Sequence, residues 1–136
     1  MNEEISRFIN ACLEEYKYDQ LGDSKNGNKQ GKIVISISIL LKKEDRLQEL
    51  LDLLNHEHPQ VRFRAAEKTL QISPSRAEKT LEELSTLRGM QLGGVAFVAQ
   101  VTLQEWRKGN LKFPTEKTLK LIEQDIKQHE SEEPDS

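Results

Sequence analysis

Apolar side chains recur at helical spacing along most of the chain. Ile5, Phe8, Ile9, Cys12, Leu13 and Tyr16 fall at i, i+3, i+4, i+7, i+8 and i+11, while Glu4, Arg7, Asn10, Glu14 and Lys17 point the other way. This stripe predicts a first amphipathic helix. Gly22 to Asn28 is polar, contains two glycines and reads as a loop, with flexibility expected as far as Gly31. Lys32 to Lys43 supports two readings. Ile33, Ile35, Ile37 and Ile39 alternate with Val34, Ser36 and Ser38 at strand period. Yet Ile33, Ile37, Leu40 and Leu41 share a helical face. No other segment reads as a strand, and a lone strand would leave both rows of backbone groups unpaired. A helix buried on most sides is therefore expected.

Leu47, Leu50, Leu51 and Leu54 predict a helix closing near Asn55, followed by a turn at His56-Glu57-His58. Pro59 suits the first turn of the next helix, where its missing N–H leaves nothing unpaired. That helix is expected to reach about Ile72, with Val61, Ala65, Ala66, Thr69 and Leu70 inward. Ser73 and Pro74 fit N-cap and N1 positions of another helix, with Ala77, Leu81, Leu84 and Leu87 on its core face and Gly89 beyond its end. From about Val95 to Lys108 little polar face remains among Val95, Ala96, Phe97, Val98, Ala99, Val101, Leu103 and Trp106. A helix apolar nearly all round is buried on several sides, so this one is expected at the centre, ended by Gly109. Pro114 and Thr115 start a last helix, whose Leu119, Ile122 and Ile126 are expected to cover Phe97 and Val101. The fold class is all-α, about six to seven helices in a single domain over residues 1–129, with an acidic tail at 130–136 expected to fray.

Composition narrows the classes. A chain of 136 residues fits one domain large enough to stand without a disulfide or a metal. Its net charge of −3 departs from the basic balance of a dedicated nucleic-acid binder. Cys12 is the single cysteine, so no disulfide forms within the chain, which suits a reducing compartment. Met1 to Glu4 is acidic and unlike a signal peptide, and Ile33 to Leu41, interrupted by Ser36 and Ser38, is too short to cross a bilayer. A cytoplasmic location is expected.

The chain carries an internal echo. Shifting Ala66, Thr69 and Leu70 by 33 residues lands on Ala99, Thr102 and Leu103. Small residues at Ala65, Ala66, Ala96 and Ala99 let helix backbones approach closely. The leucine helix Leu47 to Asn55, a polar break, then Val61-Arg62, Ala65-Ala66 and Leu70 resembles a HEAT repeat. Ser73-Pro74-Ser75-Arg76-Ala77 and the ending Leu103 to Gly109 are similar to a small bacterial HEAT-like family catalogued as domain of unknown function 2019, over about Gly22 to Gly109. The resemblance implies a short right-handed HEAT-like stack, with the first and last helices largely outside the family's span. It further implies candidates for immunity proteins that neutralise a bacterial toxin.

Residue by residue, catalytic chemistry is hard to find. His56 and His58 flank Glu57, but zinc needs three or four converging ligands and no third lies near in sequence. Gly22 and Gly27 have P-loop spacing, but Asn28 stands where lysine is required. Cys12 sits on an apolar stripe with no histidine near it, and the carboxylates scatter over polar faces. No catalytic residue, cofactor or metal is expected. Trp106 is expected in the core rather than at an interface. The resemblance to HEAT-like units gives Arg62 a bracing role between adjacent repeats, which leaves Arg64, Lys68, Gln104 and Arg107 as the expected partner contacts. The leading expectation is a non-enzymatic protein-binding domain, monomer or weak dimer, whose acidity suits a basic toxin partner. The alternative is a nucleic-acid-binding module using Arg62, Arg64, Lys68, Arg76 and Arg107, although Glu67, Glu78, Glu82 and Glu83 are interleaved with them. A third reading, a base-excision enzyme on the same scaffold, lacks a visible aromatic-and-carboxylate pocket.

Overall fold

The N-terminal stripe folds as α1 (Glu3–Gln20), with Ile5, Phe8, Ala11 and Cys12 buried. In this computed structural model, which describes residues 3–89 and 92–132, there follow α2 (Ser24–Lys43), a 3₁₀ helix (Leu47–Asn55), α3 (Pro59–Thr69), α4 (Pro74–Ser85), α5 (Gly93–Arg107) and α6 (Glu116–Glu132). No strand occurs among the described residues, and the fold is all-α. Within α1 the small Ala11 turns inward, and Leu13, expected in the stripe, is exposed.

The expected loop from Gly22 to Asn28 contracts to Leu21, Gly22 and Asp23. Gly22 takes a positive φ of 71°, and Asp23 caps α2 by accepting from the Asn26 N–H at 3.2 Å and from Asn26 Nδ2 at 2.7 Å. The glycines that suggested flexibility instead let α2 lie close to α1. A Cβ on Gly27 would stand 3.7 Å from Tyr18 Cβ, and one on Gly31 would stand 2.8 Å from the Glu15 carboxylate.

Further along, α2 is a helix, as expected. Val34, Ile37, Ser38 and Leu41 form its buried face at i, i+3, i+4 and i+7. The serines that produced the strand-like alternation bond to their own helix: Ser36 Oγ donates to the Lys32 carbonyl at 2.8 Å and Ser38 Oγ to that of Ile35 at 2.7 Å. The next segment winds as 3₁₀, whose three-residue turn puts Leu47, Leu50 and Leu53 on one buried face. The expected α-helical pairing of Leu50 with Leu51 gives way, and Leu51 is only half-buried.

The packing order is 3₁₀ against α3, α4 against α5, and α1 against α2, with α3 touching α1, α4 and α5 as well. The centre of the fold is therefore α3, whose Val61, Ala65, Ala66, Thr69 and Leu70 are all buried. The expectation that the apolar helix α5 lies at the centre is overturned. Val95, Ala96, Ala99, Thr102 and Leu103 fill its contact with α3 and α4, while Phe97, Val98 and Val101 face outward. The expected cover for them goes elsewhere: α6 packs on α2, with Ile122 buried and ion pairs from Lys32 to Asp125 and, at 3.7 Å, from Lys43 to Glu116. The Ile126 side chain and residues 133–136 of the expected tail lie outside the described residues. The 33-residue echo holds in burial, since Ala66, Thr69, Leu70 and Ala99, Thr102, Leu103 are all enclosed. No described helix is long and apolar enough to cross a membrane.

Candidate functional site

Four charged residues meet where α1 and α3 pack. Arg64 donates through Nε to Glu15 Oε1 at 2.9 Å, through Nη2 to the other Glu15 oxygen, and through Nη1 to Glu67 Oε1 at 2.9 Å. Gln60 Nε2 also donates to Glu15 at 2.6 Å, and Lys68 Nζ lies 3.3 Å from Glu67. Two carboxylates and two cations balance. Burial pushes the Glu67 carboxyl toward neutrality, but Lys68 and Arg64 overcome it and hold the group below its ordinary range. The guanidinium in turn is held charged by both carboxylates against its own burial. Arg64 and Lys68 were expected on an open face. They are instead 18% and 5% exposed at the side chain, because each compensates a carboxylate enclosed beside it.

Above this cluster opens a groove of about 350 Å³. The end of α1 supplies Glu15, Tyr16 and Asp19, the start of α2 supplies Asp23, Ser24, Gly27 and Asn28, α3 supplies Gln60, Phe63 and Arg64, and α5 supplies Gly94, Val95, Phe97 and Val98. Phe97 is 65% exposed at its lip. With Val98 and Val101 it forms an apolar stripe on the outer face of α5, and exposed Gln104 continues that face at i+3 from Val101. Gln104, an expected partner contact, is exposed, whereas the groove has no signal in the sequence because its walls come from four separate helices.

The other sequence candidates lie away from the groove. Arg107 is exposed and pairs with Glu82 of α4. Arg62 is half-buried, its Nε enclosed without an acceptor among the described residues. Cys12 is buried, and burial pushes its thiol far above the ordinary range. Trp106 is half-buried, donates through Nε1 to Glu78 at 2.7 Å and packs edge-on to Phe113.

The two histidines of the turn act as acceptors. His56 Nδ1 accepts from the His58 N–H at 3.0 Å, and His58 Nδ1 caps α3 by accepting from the Gln60 N–H at 3.1 Å. His58 lies edge-on to Tyr16 with ring centroids 4.8 Å apart. Burial, then the neighbouring His56, lower its pKa from 6.5. The unfolded chain therefore takes up the proton first on acidification. The contribution of His58 to stability is complete above pH 6.5 and is lost as pH falls through the depressed value. Replacing it with alanine is expected to cost about 1 kcal/mol at neutral pH, with asparagine restoring most of the loss. Urea unfolding at several pH values should show the gap between wild type and alanine variant narrowing in acid.

A family model described as Domain of unknown function (DUF2019) matches residues 2–105. The match takes in α1, expected to lie largely outside the family's span, and stops before α6. No curated protein and no solved structure matches the chain at a significant level.

Proposed function

From the premise that this chain belongs to the DUF2019 family, we propose that it is a non-enzymatic, cytoplasmic protein-binding domain that grips its partner with the outer face of α5 and the adjoining groove. The carrying observation is the uncovered stripe of Phe97, Val98 and Val101. Exposed apolar side chains grouped on one face and rimmed by polar groups mark interaction surfaces, and fully burying a single large one contributes about 1.5–3 kcal/mol. The paired helices and the burial echo between α3 and α5 support the HEAT-like reading, in which neighbouring pairs offer a continuous face to a partner.

Two groups that a catalyst could draw on support the non-enzymatic reading. Glu67 is held ionised rather than poised near neutrality, and the Cys12 thiol is pushed up by burial. Two of the five cations proposed for nucleic acid, Arg64 and Lys68, are enclosed with carboxylates, so that alternative gains no support. The concrete form we favour is an immunity protein against a basic toxin, on the family resemblance and the net charge of −3.

Affinity capture with the tagged wild type and with a Val101→Asp variant tests this. The expected result is one protein retained stoichiometrically by the wild type and lost by the variant, and toxic to cells unless this chain is produced alongside it. Capture of the same set by both would remove the α5 face. A retained protein without toxicity would remove the immunity form.

A further inference from the structure

We propose that the groove takes an arginine side chain of the partner, its guanidinium lying on the Phe97 ring and facing Asp19. This rests on the protein-binding reading and names the chemistry of what is bound. The groove is lined by three carboxylates, Glu15, Asp19 and Asp23, and one guanidinium, Arg64, a net of two negative charges. The amino ends of α2, α3 and α5 each add about half a positive charge and the carboxyl end of α1 about half a negative one, which leaves the balance negative by about one charge.

The carboxylates are not equivalent. Glu15 is occupied by Arg64 and Gln60, and Asp23 by Asn26. The Asp19 side chain is exposed, and among the described residues it has no hydrogen-bond or ion-pair partner. Its Oδ2 lies 3.7 Å from where a Cβ on Gly94 would stand, so it lines the groove beside α5. One turn along α5, Phe97 offers an exposed ring at the lip. A free carboxylate beside an exposed ring suits a planar cation, which stacks on the ring while its edge donates to the acid. A volume of about 350 Å³ suits one long side chain with its adjoining backbone.

The test is an amide-resolved NMR titration of the full chain with three blocked tripeptides, in which arginine, lysine or glutamate stands between two leucines. The arginine peptide is expected to shift the amides of Asp19, Gly94, Phe97 and Val98 saturably and to bind more tightly than the lysine peptide. The glutamate peptide is expected to leave them unmoved. Asp19→Asn should weaken arginine-peptide binding about three- to fivefold, and Phe97→Leu by a similar factor of about three to five. Equal response to the glutamate peptide, saturable shifts away from the groove, or no shift at millimolar peptide would overturn the assignment. A captured partner that is lost by Val101→Asp but bound unchanged by Asp19→Asn would sink the arginine site while leaving the protein-binding reading intact.

Discussion

Arg64→Ala is expected to destabilise the fold by about 3 kcal/mol, because it removes the guanidinium that bridges two enclosed carboxylates and leaves Glu15 with Gln60 and Glu67 with Lys68 as their remaining partners. The Glu15 and Glu67 side chains are 13% and 20% exposed, too little for water to replace the guanidinium. Arg64→Lys keeps the charge but cannot reach both acids with a planar fork, and should recover only part of the loss. Glu67 is held below 4.5 in the folded chain, so its share of the stability is complete above pH 4.5 and disappears as pH falls through the depressed value. The penalty of Arg64→Ala should shrink over the same acid range. Urea unfolding of the two variants at pH 7 and below pH 4 checks both statements. A penalty under about 1 kcal/mol at pH 7 would mean that the carboxylates re-solvate and that the cluster is not closed.

Phe97→Asp should behave in the opposite sense. The ring is mostly in water, so its loss removes little from the core, and the unfolding midpoint should move by no more than about 0.5 kcal/mol equivalent. Affinity for the partner should fall about 30- to 100-fold, the equivalent of losing the burial of one large apolar side chain. Calorimetric titration with the captured partner, set beside thermal unfolding of the variant, separates the two readouts. A variant that unfolds early yet binds normally would show that Phe97 serves the fold.

These two residues also show what the sequence could and could not reveal. The helices, the turn prolines and the inward faces of α3 and α4 were legible because period and capping are local. Even the isoleucine–serine alternation of α2 resolved as a helix, since a lone strand has nowhere to place its backbone groups. Arg64 was misjudged as free, because its partner Glu15 lies 49 residues earlier and no spacing rule links them. Phe97 reads as buried in the sequence, because apolar content reports what a side chain would prefer to touch, not whether a neighbour arrives to touch it. The last helix has the right stripe to cover α5, but it packs on α2 instead, with Ile122 buried there and ion pairs from Lys32 to Asp125 and Lys43 to Glu116 at the margin of that contact. Groove walls contributed by four helices leave no contiguous pattern to read.

The 3₁₀ winding of Leu47–Asn55 also affects chain length. Its nine residues, rising about 2.0 Å each, reach about 18 Å, whereas its partner α3 needs eleven residues at about 1.5 Å each to reach about 16.5 Å. Wound as an α-helix, the first arm of this hairpin would need about twelve residues to extend as far. The more extended 3₁₀ rise thus makes up for roughly three residues, and the two arms match in span. Inserting a single residue here would shift every leucine after it by about a third of a turn. It would turn the leucine face away from α3, so this segment should tolerate shortening and lengthening less well than its modest size suggests.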